Sequence, residues 1–114
     1  MSNALEVTAE TFETEVIKSS IPVLVDLYAD WCMPCKMMGK VLDQLAPRLQ
    51  GQVKVVKINV DQEQELAGAF GVSSIPMLLL FKDGQVVDHA VGALPQAAIL
   101  QMIQKATTVQ PAPR

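Results

Sequence analysis

Cysteine and histidine are scarce in this chain, two of the first and one of the second in 114 residues. A structural zinc site needs four ligands, and Cys32, Cys35 and His89 do not supply them within one chain. No metal site is expected. The same scarcity excludes a small secreted fold held together by several bridges. No uninterrupted apolar stretch approaches the roughly 20 residues of a membrane helix, so no membrane association is expected. Basic clusters are missing too, and at a net charge of −3 the chain offers nothing to nucleic acid or to an anionic membrane surface. The opening Met1-Ser2-Asn3-Ala4-Leu5-Glu6 lacks the basic-then-apolar order of a secretory signal. That predicts a cytoplasmic protein, with Ser2-Asn3-Ala4 leaving room for a leader removed upstream. Repeats and linkers are also absent. The length suits a single domain over 1–106 with a real core, followed by a disordered tail, 107–114, that carries Pro111 and Pro113.

Both cysteines lie in one stretch, Trp31-Cys32-Met33-Pro34-Cys35-Lys36, directly after an apolar run that reads as a strand. With two residues between them, both sulfurs fall near one helical turn, where side chains at i and i+3 are neighbours. That separation suits a disulfide, whose Cα atoms sit roughly 4.4–6.8 Å apart. Pro34 fits a first helical turn, where its missing N–H costs nothing and its φ is already helical. A cysteine just before a helix feels unpaired N–H groups and the positive end of the helix dipole. Both favour the thiolate, which is the nucleophile. As a staple, so short a bridge would remove little unfolded-chain entropy. The pair therefore reads as a reversible dithiol/disulfide with Cys32 as the attacking sulfur.

Periodicity orders the rest. Leu5 to Val7 is a short strand, and Thr8 is expected to cap a helix over 9–18 with Phe12 and Val16 inward. A strand over 22–28 leads into the cysteine turn. The next helix reaches about Leu49 on a stripe of Met38, Val41, Leu42, Leu45 and Leu49, with Pro47 expected to end it early or kink it. Val53 to Val60 is a β-branched strand, and Asp61 is expected to cap a helix over 62–70. Met77 to Phe81 and Val86 to Val91 form a hairpin around Asp83-Gly84. Pro95 opens a last helix with Ala98, Ile99, Met102 and Ile103 inward. The order β-α-β-α-β-α-β-β-α predicts an α/β fold, a mixed central sheet flanked by four helices.

Asp26 is a lone carboxylate in a strand whose two faces are both expected to be covered. Desolvation should raise its pKa and suit it to take the Cys35 proton. The alternative is a buried carboxylate merely held by hydrogen bonds or an ion pair.

Taken together, several separated features resemble the thioredoxin family over Val7 to Ala106. They are Asp26, Ala29-x-Trp31-Cys32-x-Pro34-Cys35-Lys36, Lys57 ahead of Asn59-Val60-Asp61, Ile75-Pro76 before an apolar strand, and Gly84 and Gly92. The resemblance implies the thioredoxin fold and a protein-disulfide reductase. Cys32 would be exposed and attack, and Cys35 would be less accessible and resolve the mixed disulfide. It also implies Asp26 as proton acceptor, Lys57 as its electrostatic partner and a cis bond at Ile75-Pro76 packed against the cysteines. An extended substrate peptide would pair with the backbone there, on an apolar surface of Trp31, Met33, Val60, Ile75, Val91, Gly92 and Ala93. Partners would be disulfide-containing substrate proteins and a thioredoxin-reductase-like electron donor. No cofactor beyond the cysteine pair is implied, and the protein would be a monomer.

The chain departs from the family's usual residues at several points. Met33-Pro34 replaces Gly-Pro, Tyr28 stands for tryptophan, and Lys40 stands for a helix-kinking proline. Ser73-Ser74 and Met77 alter the groove. Dithiol exchange is expected to survive these changes. An oxidant or isomerase on the same fold is one alternative. Another is a Cu(I)-binding module of Cys32, Cys35, Met33, Met37, Met38 and Met77, because soft sulfur ligands favour Cu(I); ordinary methionine packing explains the same residues. A redox-inactive scaffold would not need two intact cysteines. His89 reads as a partly exposed structural histidine.

Overall fold

The structure, a computed structural model, describes residues 2–108. Residues 107 and 108, expected in the tail, instead belong to the last helix, whose turns continue to Thr108; the rest of the expected tail lies outside the described residues. Five strands form one sheet: β1 (Leu5–Glu6), β2 (Val23–Tyr28), β3 (Lys54–Asn59), β4 (Met77–Lys82) and β5 (Gln85–Val91). Between them run α1 (Met33–Leu49) and α2 (Gln64–Ala69), and α3 (Gln96–Thr108) follows β5. The strand order is β1-β3-β2-β4-β5. The first three pair in parallel, while β4 and β5 join antiparallel, which gives a mixed sheet.

Strand β2 sits in the middle, and all six of its residues are buried. Successive side chains of a strand point to opposite faces, so β2 serves two cores. Leu24 joins Met38, Leu42, Leu45, Leu78, Leu80 and Ile99 beneath α1 and α3. Val23, Val25 and Leu27 join Val7, Val16, Val56, Ile58, Leu79 and Phe81 on the other face. That second core is closed by Phe12, Phe70 and Phe81, whose ring centroids lie 5.5–5.7 Å apart in tilted and edge-on contacts.

Local chemistry moved two of the expected elements and left a third where its apolar stripe put it. Instead of a helix over 9–18, a turn precedes a π-helical segment, Glu13–Ile17. Thr8 does not cap it. The Thr8 N–H donates to Thr11 Oγ1 at 3.0 Å and the Thr11 N–H to the Thr8 carbonyl at 3.1 Å, a local turn that competes with a helix start. The Lys18 N–H then reaches five residues back, to the Glu13 carbonyl at 2.9 Å. Pro47 does not end α1, because buried Leu45 and Leu49 hold the last turn to Leu49. Asp61 does not cap α2. Asn59 Oδ1 takes the N–H groups of Asp61 (2.9 Å) and Gln62 (3.2 Å), and α2 begins only at Gln64.

The β4–β5 hairpin turns on Asp83 (φ 53°) and Gly84 (φ 80°), the two left-handed residues of a type I′ turn. Glycine is needed twice over at position 84, since a Cβ there would come within 3.2 Å of the Ile17 carbonyl oxygen.

Candidate active site

Strand β2 ends at Tyr28, and after three intervening residues the chain enters α1 through Cys32. Cys32 is the N-cap residue, with extended backbone (φ −93°, ψ 110°) and Pro34 in the first turn behind it. Its sulfur accepts the backbone N–H of Cys35 at 3.1 Å. The two cysteines are joined as a disulfide with Cα atoms 5.2 Å apart. The helix start thus offers N–H donors and positive dipole to a sulfur that carries charge once reduced.

The resemblance implied an exposed Cys32. Here it is 4% exposed, against 0% for Cys35. Tyr28, Ala29, Val60 and Ile75 pack around the disulfide-bonded pair. Cys32 is still the more accessible of the two.

The flanking side chains stand out in solvent: Trp31 is 70% exposed, Met33 65% and Met37 62%. The Trp31 indole N–H donates to Asp61 Oδ2 at 2.9 Å, which employs the carboxylate assigned on sequence to a helix cap. Ile75–Pro76 is a cis peptide, and the Pro76 carbonyl accepts the Gly92 N–H at 2.8 Å. A groove of about 360 Å³ lies beside the pair, lined by Trp31, Val60, Val72, Ser73, Ser74 and Ile75 among others. Of the expected docking residues it gathers Trp31, Val60 and Ile75. Met33, Val91, Gly92 and Ala93 lie outside it; Val91 is 55% exposed.

Among the described residues, the methionines of the copper-binding alternative are divided between the two cores and the surface. Met38 is buried under α1 in one core, Met77 packs against the other, and Met33 and Met37 face outward. Among the described residues no three His, Cys, Asp or Glu side chains gather as a metal-holding group. His89 is exposed on β5 and shares a cleft with Asp88 and Lys105.

Asp26 is 1% exposed. Across β2 and β3 it stands opposite Lys57, and across β2 and β4 opposite Leu78. Burial raises its pKa from 3.8 to about 7; Lys57 pulls it down and Glu6 pushes it up. Its Oδ1 has no hydrogen-bond partner among the described residues. Sequence reasoning paired Lys57 with Asp26 and missed its other neighbours. The Lys57 ammonium donates to the Ser2 carbonyl at 2.6 Å, lies 4.0 Å from Glu6 Oε1, and sits 5.7 Å from the Tyr28 ring centroid. The Tyr28 hydroxyl donates to Glu6 Oε1 at 2.6 Å. Burial and that bond push the Tyr28 hydroxyl's pKa up. No signal in the sequence linked positions so far apart.

A family model described as thioredoxin matches residues 3–105. The chain belongs to the thioredoxin family. Thioredoxin 1 of Synechococcus elongatus is 50% identical over 105 residues, covering 92% of this chain and 98% of that protein. A thioredoxin of Haemophilus influenzae is also 50% identical, with the same coverage. Thioredoxin 1 of Nostoc is 47% identical, again over 92% of this chain and 98% of its own. With the Cys-x-x-Cys pair closed at a helix start, the family establishes the activity. The protein is a thiol–disulfide oxidoreductase. Among the described residues no helix is long and apolar enough to cross a membrane.

Proposed function

We propose that this member of the thioredoxin family reduces disulfides in other proteins, with Cys32 as nucleophile and Cys35 as resolving thiol. The Cys32 thiolate attacks one sulfur of a substrate disulfide, and the other substrate sulfur leaves and takes a proton. Asp26 then accepts the Cys35 proton. The Cys35 thiolate attacks the Cys32 sulfur, releasing the second substrate thiol and closing Cys32–Cys35. The substrate gains two electrons and the pair loses them, and a thioredoxin-reductase-like donor returns them. The observation that carries this reading is the Cys35 N–H on the Cys32 sulfur at the start of α1, which favours the attacking charge.

Lys57, on the neighbouring strand, limits how far burial raises the Asp26 pKa. Substrate docks over Trp31, Val60 and Ile75 and spreads onto Met33, Val91, Gly92 and Ala93. The Pro76 carbonyl is taken by Gly92, so pairing with an extended peptide falls to the main chain of Ile75. The protein acts as a single-domain cytoplasmic monomer and needs no cofactor beyond its cysteine pair.

The test is the reduction potential, read from Trp31 fluorescence after equilibration in glutathione buffers. A value near about −270 mV, typical of thioredoxins, supports the reductant. A value between about −180 and −120 mV would make the protein an oxidant or isomerase.

A further inference from the structure

Three charged side chains stand in one row across the sheet. Glu6 on β1 is opposite Lys57 on β3, and Lys57 is opposite Asp26 on β2. The row reads minus, plus, minus, and the middle charge has two carboxylates to choose from. It is turned outward. Lys57 is bonded to the Ser2 carbonyl and paired with Glu6 at 4.0 Å, while no ion pair joins it to Asp26 among the described residues. Glu6 does not swing away, because the Tyr28 hydroxyl holds the very oxygen that faces Lys57. Tyr28 also lays its ring along the ammonium.

We propose that Glu6, clamped by the Tyr28 hydroxyl, is a positioning residue that holds the Lys57 ammonium at the outer edge of the sheet and withholds it from the Asp26 carboxylate. The consequence for the reaction rests on the reading of Asp26 as proton acceptor given above. A buried carboxylate with a cation at hand would stay ionised and keep no proton. With the cation drawn outward, it takes a proton from a thiol and returns it near neutral pH. The charged groups acting on Asp26 are Lys57, which lowers its proton affinity, and Glu6, which raises it. On its other side β4 offers Leu78, and α1 and α3 bring Met38, Leu42 and Ile99 to the same face, all apolar.

The experiment compares the full chain with Glu6→Gln, Tyr28→Phe and the double variant. The titration of the Asp26 carboxyl is followed by carbon NMR in the oxidised protein, with thermal unfolding alongside. Removing the Glu6 charge should move that titration to lower pH by about half a pH unit or more. Tyr28→Phe should move it the same way by less, and the double variant should match Glu6→Gln alone, since the hydroxyl acts through the carboxylate. The proposal is overturned if Asp26 titrates unchanged in Glu6→Gln, whatever happens to the melting temperature, or if the two single shifts simply add. Should Tyr28→Phe not fold, Glu6→Gln decides alone. The pH–rate profile of substrate reduction separates this inference from the reading beneath it. If the NMR titration moves and the acid limb of the rate does not follow, the hold of Glu6 on Lys57 stands and Asp26 is not the proton acceptor.

Discussion

The backbone N–H of Cys35 points at the sulfur of Cys32 from 3.1 Å away. One residue thus serves its partner twice, through its main chain before exchange and through its thiol during it. The first service needs only the helix, so any small side chain at position 35 preserves it. The second needs sulfur.

Substitution should split the two roles. Cys32→Ser is expected to abolish turnover. Cys35→Ser keeps the N–H and should still attack, so mixed disulfides with substrate accumulate. Mass spectrometry of the trapped species under non-reducing conditions checks both, and turnover retained by Cys32→Ser would refute the assignment.

Asp26→Asn should slow release of the mixed disulfide more than its formation. With the carboxyl pKa near 7, the release step in the native protein falls away as pH drops below about 7. The Asn variant should lack that limb. Stopped-flow traces of the two steps across pH 5 to 9 are the measurement; equal slowing of both steps would remove Asp26 from proton transfer.

The same carboxylate sets a stability cost with a definite sign. Its folded pKa is raised, so its contribution is fully present below 3.8 and is lost as pH rises through about 7. At roughly 1.4 kcal/mol per pH unit, the rise from 3.8 to about 7 caps the penalty at about 4 kcal/mol. Asp26→Asn should therefore gain stability over the native protein at pH 8 and little at pH 4. Urea unfolding at the two pH values reads the difference.

Asp61→Ala should release the Trp31 indole, since the 2.9 Å bond to Asp61 Oδ2 ties it in place. An exposed bond to a charged group is worth about 1 kcal/mol, so KM for a protein substrate should rise several-fold with the reduction potential unchanged. Trp31 emission should change at the same time. A changed potential with an unchanged KM would place Asp61 in the redox couple instead of in docking.

Leu42→Ala removes a side chain that is 1% exposed in the core under α1. Such truncations cost about 2–5 kcal/mol. Urea unfolding should show that loss without a shift in potential, because the cysteines belong to a separate cluster.

The element order was legible because a short continuous apolar run such as Val23–Tyr28 differs plainly from a stripe at helical spacing such as Met38–Leu49. The cysteine turn was legible because its chemistry is local. Competing local signals were less so. Asn59 and Asp61 are both capping residues two positions apart, and only the loop geometry shows that Asn59 takes the N–H groups while Asp61 serves Trp31. Thr8 and Thr11 likewise bond one another, and the result is a π-helical segment where a regular helix was expected. The surroundings of Lys57 were hidden for another reason. Ser2, Glu6 and Tyr28 reach it from strands and termini that the sheet alone brings together.

Strand β2 is second along the chain but central in the sheet, and both its neighbours are made after it. During synthesis it waits first for β3 and then for β4, and Ile75, which packs over the cysteines, arrives just ahead of β4. Such late, distant pairings slow folding and lengthen the exposure of unfinished surfaces. The two reactive thiols are therefore born uncovered, and the nascent chain carries its chemistry before it has the groove that disciplines it.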